Sequence, residues 1–200
     1  MFDEILNWAN RYDEGLAHVH SRQDQWLAGH ERVRDHLKAI ADHLNQNARY
    51  RQGFFVDTLH AFNEGMRGTN TRMPSLEFRS GPMPMPITFR NSIGEKMTYE
   101  EEGFSISFTP TITGEILVLL QPHTSDLEQD PPELVTLGVI REPGQLTNPV
   151  IEQLIARGME IAFYGSFTGM GEQPHLIDQD DMALKRNPIG FKRHDTTEKI

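Results

Sequence analysis

Apolar residues recur at Ile5, Ala9, Tyr12, Leu16, Val19, Trp26, Val33, Leu37, Ile40 and Leu44, and with Gln23, His30 and Asn47 they complete an unbroken alternation of four- and three-residue steps. A heptad ladder held this long predicts helix, with one narrow stripe facing a partner. As a single helix, residues 5–47 would span about 64 Å at 1.5 Å per residue, more than a compact domain of this size covers, so the stripe calls for another helix. Ser21-Arg22-Gln23-Asp24 resembles a capping box, and Gly15 and Gly29 each weaken a helix, which leaves a hairpin of helices 3–20 and 22–48 as the alternative. The register holds across Ser21, and a turn has no reason to preserve it, so one long or slightly broken helix is favoured.

After Gly53 the set Phe55, Leu59, Phe62 and Met66 is again helically spaced but out of phase with the ladder, predicting a separate short helix closed by Gly65 and Gly68. From about residue 75 the period becomes two. Leu76/Phe78, Ile87/Phe89, Met97/Tyr99 and Phe104/Ile106/Phe108 alternate with polar residues, as half-buried antiparallel strands do. Turns are expected at 91–94, Glu102-Gly103 and Thr113-Gly114, too short for the crossovers of a parallel sheet, and the pattern is that of a meander. Residues 115–121 enclose the unbroken run Ile116 to Leu120 and read as the central strand, covered on both faces, whereas the prolines at 82, 84 and 86 confine residues 80–86 to an edge or a connector. A strand over 134–140 follows an acidic loop. Asn148 then caps a helix whose apolar face is Val150, Ile151, Leu154 and Ile155 and whose end is expected at Gly158, with a last strand over 159–167.

The fold class expected is therefore α+β: a long N-terminal helical region, coiled-coil-like or hairpin, followed by an antiparallel β-meander with one C-terminal helix packed on it. The organisation read from the pattern is a helical interaction region over 1–68, an antiparallel α+β domain over 69–171, and a polar tail over 172–200 expected to be loosely packed or disordered.

Composition narrows the chemistry. The chain has 200 residues and no cysteine, which removes disulfides, thiolate metal sites and thiol nucleophiles. No apolar run is long enough to span a membrane and the first residues are acidic, so no membrane association and a cytoplasmic location are expected. The formal net charge is −10, and residues 101–150 hold eight acidic side chains against one basic. An acidic half of this kind makes nucleic acid an unlikely partner, because phosphate binding depends on Lys and Arg. It also suits an acidic surface presented to a protein partner.

Candidate catalytic residues are few. Five of the nine histidines fall in 18–43, but neither HExxH nor a His pair four apart occurs, so no metal site is expected and the residues read as flanks of the stripe. The glycine-rich stretch from Tyr164 to Gly171 matches neither a phosphate-binding nor a nucleophile-elbow spacing and reads as a turn. His123 and Asp126, in the loop after the interior strand, are the pair an acid/base site would use, and a small-molecule-binding or hydrolytic enzyme would have its site near them and the 164–171 loop. No cofactor is implied. The better-supported reading is a non-enzymatic protein that self-associates into a homo-oligomer through its N-terminal helices. Leu16, Val19, Trp26, His30, Val33, Leu37, Ile40 and Leu44 would form the interface, Trp26 serving as anchor. On that reading, glutamate at Leu37 and Ile40 would dissociate the oligomer without unfolding the β domain.

Overall fold

A computed structural model describes residues 2–60, 73–125 and 133–166 of the chain. Over these residues it shows an α+β fold: a long helix α1 (Phe2–Asn47), eight antiparallel strands and a second helix α2 (Asn148–Gly165). Five strands, β1 (Phe54–His60), β2 (Pro74–Ser80), β5 (Ser105–Pro110), β6 (Ile116–Gln121) and β8 (Val135–Ile140), form one sheet in the order β1-β2-β5-β6-β8. The other three, β3 (Met83–Arg90), β4 (Lys96–Glu102) and β7 (Thr124–Ser125), form a second sheet with β4 in the middle.

The two sheets share a ribbon. Arg79 pairs with Ser105 at the end of β2–β5, and Met83 pairs with Glu101 at the start of β3–β4, which is the same register carried across a bend. Gly103 is thus a bend and not a chain reversal. The reversal lies at the far tip of the β3–β4 ribbon, where Gly94 takes φ +84° and the Asn91 side chain accepts from the Ile93 and Glu95 amides. Gly81 and Gly103 permit the bend, since a Cβ on either would overlap the Gln52 or the Ser80 carbonyl.

One face of the five-stranded sheet carries the core. Leu76 and Phe78, Ile106 and Phe108, and Ile116, Val118 and Leu120 alternate inward, and both helices lie over them. Helix α1 contributes Trp26, Val33, Leu37 and Ala41 to this core, so the second half of the ladder is buried against the chain's own sheet. The Trp26 indole N–H donates to the Pro74 carbonyl at 2.8 Å, which satisfies the ring's one polar atom in an apolar setting. Polar residues on the ladder are bonded within the chain as well. Gln23 donates to the Ile112 carbonyl, His30 lies 2.9 Å from the Leu27 carbonyl, and Asn47 donates to the His43 carbonyl.

Two expectations are corrected. Phe55 and Leu59 lie in strand β1 and not in a helix; a spacing of four is also a multiple of two, so the pair shares the outer face while Phe54 and Val56 turn to the core. Phe62, Gly65, Met66 and Gly68 lie outside the described residues. The second correction is at Gly158, which does not end α2: the helix continues to Gly165 where a strand was expected. Ile151, Ile155, Gly158 and Ala162 keep helical spacing and form its buried face. Glycine at 158 serves contact, because a Cβ there would overlap the Ile106 δ-methyl and lie 3.0 Å from Leu137 Cδ1.

Candidate functional site

Residues 2–18 of α1 are exposed throughout, a stretch of about 25 Å of helix at 1.5 Å per residue. The first contact with the rest of the fold is the His18 side chain on Glu142, and packing begins at Val19. There the turn between β5 and β6 presses on the helix, and a Cβ at Gly114 would fall 2.6 Å from Arg22 Cβ and 3.1 Å from the Val19 carbonyl oxygen. Arg22 and His18 reach Glu142 at 3.0 and 3.2 Å, and Arg32 donates to the Leu146 carbonyl at 2.7 Å, fixing the flank of the helix.

The free stretch is amphipathic. Ile5, Trp8, Tyr12 and Leu16 stand on the side of the helix that Gln23, Trp26, Leu37 and Ala41 bury further along, within roughly 50° at 100° per residue. Phe2 and Leu6 widen the apolar face, and Tyr12 is 80% exposed. Asp3, Glu4, Asn7, Asn10 and Glu14 occupy the opposite side. One stripe therefore runs the length of α1 in phase, and only its second half is covered. Of the residues expected at an interface, Trp26, Val33 and Leu37 lie in the core. Ile40 and Leu44 pack against it, His30 and Val19 are half-buried, and Leu16 is exposed. Phe2, Ile5, Leu6, Trp8 and Tyr12 are exposed large apolar residues as well, Ile5 and Tyr12 belonging to the ladder.

His123 is buried in a polar cluster at the bend of the ribbon. Its Nδ1 donates to the Glu102 carbonyl at 3.0 Å and lies 3.7 Å from Glu101 Oε2, and its ring makes a T-shaped contact with Phe104. Glu101 and Ser80 are buried beside it, and the Tyr50 hydroxyl donates to the Gly81 carbonyl at 3.1 Å. Burial pushes the Tyr50 phenol above its ordinary value, aided by the Glu101 charge and opposed by the Ser80 hydroxyl. Within the three-stranded sheet Thr124 donates to Glu102 Oε2, and β7 pairs with β4 at Glu101 and Glu102. Asp126 and residues 167–171 lie outside the described residues. The described part of the 164–171 stretch ends α2, where the Ser166 hydroxyl donates to the Phe163 carbonyl.

Desolvation holds the His123 imidazole below its usual value of 6.5, outweighing the hydrogen bond to Glu102 that works in the other direction. A histidine depressed in the fold binds fewer protons than in the unfolded chain. Its contribution to stability is thus complete above pH 6.5 and is lost as pH falls toward the folded value. Melting temperature is expected to drop on acidification below that point, and less so in His123→Gln; equal slopes for the two proteins would contradict the assignment.

Two other surfaces are open. Ile87 and Phe89 of β3 share one face of the ribbon with Met97 and Tyr99 of β4, the Phe89 and Tyr99 rings 4.4 Å apart, while Thr88, Arg90, Lys96 and Thr98 make its other face. A groove of about 330 Å³ on the outer face of the large sheet is floored by Ser75, Glu77, Ser105 and Ser107, and His123 does not line it. Among the described residues no three His, Asp or Glu side chains gather as a metal-binding set, and no helix is long and apolar enough to cross a membrane. No family model, no curated protein and no solved structure matches the chain.

Proposed function

We propose that the chain is a non-enzymatic assembly protein that self-associates through residues 2–18 of α1 and carries its α+β body as the presented surface. The observation that carries this reading is the in-phase continuation of the buried stripe onto exposed helix. Four large apolar side chains, Ile5, Trp8, Tyr12 and Leu16, stand in solvent on the face that the same helix buries from Trp26 onward, flanked by exposed Phe2 and Leu6. Helices with a heptad stripe bury it against one another, and aromatic residues carry a large share of the binding energy at such contacts. An anionic lipid surface is a poor rival partner, because the stretch holds Asp3, Glu4, Asp13 and Glu14 against Arg11 alone. The enzyme alternative needs His123, Asp126 and the 164–171 loop together; His123 is buried and bonded at the ribbon bend, while Asp126 and residues 167–171 lie outside the described residues.

Native mass spectrometry at low micromolar concentration tests the proposal. The wild type is expected as an oligomer, and the double variant Trp8→Glu, Leu16→Glu as a monomer. Each carboxylate at a desolvated contact costs about 2 kcal/mol or more, so the dissociation constant rises at least ~100-fold. Both sites are exposed in the single chain, so the melting temperature of the variant's body should stay that of the wild type. A monomeric wild type, or an oligomer that survives both substitutions, would refute it.

A further inference from the structure

We infer that two copies pair their 2–18 stretches antiparallel about a two-fold axis near residues 10 and 11. Ile5 of each copy then faces Leu16 of the other, Ala9 faces Tyr12, and Phe2 closes on Val19 and Ile112. This deepens the self-association proposed above and rests on it.

The orientation follows from where the body stands. Because the stripe is in phase, the side of α1 that is apolar over 5–16 is also the side on which the sheet lies from Val19 onward. The β5–β6 turn fills that side at once, with Gly114 against Val19, Arg22 and Gln23. In a parallel pair the second helix would run down the stripe side, roughly 8–10 Å from the first, into the volume this turn and sheet occupy, and would bring its own body to the same place. Two bodies cannot share it. In an antiparallel pair each N-terminus points toward the other copy's turn, and the two bodies stand at opposite ends of the contact.

The spacing of the stripe agrees. The positions 5, 9, 12 and 16 read four, three, four in both directions, so a two-fold axis at their centre superimposes the set on itself with chain direction reversed. Small Ala9 meets large Tyr12 twice, once on each side of the axis, the alternation that lets facing layers interdigitate. The same register sets Phe2 opposite Val19, next to the turn. Ile112 on that turn is 75% exposed although Gln23 holds its carbonyl, so an apolar side chain already stands where Phe2 would arrive. With these side chains from both copies the contact buries roughly 1,000 Å² or more, the size at which specific interfaces begin.

The cysteine-free sequence permits a direct test, since each single-cysteine variant holds one thiol. Ile5→Cys and Leu16→Cys, one of them isotope-labelled so that mixed and like pairs differ in mass, are combined in a glutathione redox buffer. The mixed disulfide is expected at least ~10-fold above either like pair, because only facing thiols gain the effective concentration of the complex. Ile112→Glu, which lies outside the helix, should raise the dissociation constant about tenfold. A dominant Ile5→Cys like pair would mean parallel helices and overturn the orientation while leaving self-association standing. An oligomer in which no pair cross-links, or in which Ile112→Glu binds as wild type does, would overturn the register. A wild-type monomer would end both proposals.

Discussion

Leu37→Glu is expected to unfold the protein, not to dissociate it. The side chain is fully buried in one apolar core with Trp26, Val33 and the inward row of the large sheet. A carboxylate placed there loses the apolar contacts of leucine and must either ionise without a partner or take up a proton in a dry site. The sum exceeds about 5 kcal/mol, a large part of the roughly 5–15 kcal/mol by which a domain of this size is stable. The expected result is loss of the cooperative melting transition and of near-ultraviolet circular dichroism. Glutamate at Leu16, 21 residues earlier on the same stripe, should leave both unchanged. A Leu37→Glu protein that melts as wild type does would mean that α1 does not dock on the sheet. The stripe alone assigns the two leucines one role; the fold separates them, because the body covers the helix only from Val19.

That separation shows how far the pattern could be read. Period distinguishes helix from strand, so α1, the alternating strands and the start of α2 were all legible; the run 116–120 reads as the central strand covered on both faces, but β5 holds the centre and Leu117 and Leu119 of β6 are only half-buried. Period does not say what covers a stripe. A heptad ladder facing a second copy and one facing the chain's own sheet have the same spacing, and α1 does the second from Val19 to Leu44. Phe55 and Leu59 failed for a related reason, their separation fitting both periods. Gly158 was read as a stop because a glycine's missing side chain announces either a helix end or a close approach, and only the facing residue, Ile106, decides which. The buried pair Glu101–His123 was hidden by Glu100-Glu101-Glu102, which resembles a solvated tip. Yet Met97, Tyr99 and Glu101 alternate, and that alternation already set Glu101 on the apolar face of β4.

Gly103→Ala should be the most damaging of the single-methyl changes. The added Cβ would overlap the backbone carbonyl of Ser80, and backbone at this point has little freedom to yield. The Ser80 amide donates to the Phe104 carbonyl at 3.0 Å, the Gly81 amide to the Gly53 carbonyl at 3.0 Å, and Tyr50 holds the Gly81 carbonyl. Relief requires the two strands to part where β2–β5 becomes β3–β4. That breaks the Ser80 bond and shifts Glu101 and His123 out of contact. Overpacking and a lost buried hydrogen bond together cost about 3 kcal/mol or more. Two other glycines provide the scale. Gly94, at φ +84° with open space around it, should lose only about 1 kcal/mol as alanine, from its backbone conformation. Gly15, in exposed helix with nothing near it, should gain up to about 1 kcal/mol of helix propensity. Urea midpoints for the three variants measure the order directly. A Gly103→Ala midpoint no lower than that of Gly94→Ala would mean the bend opens freely, and the ribbon would then be hinged at its root instead of fixed there by Tyr50, Glu101 and His123.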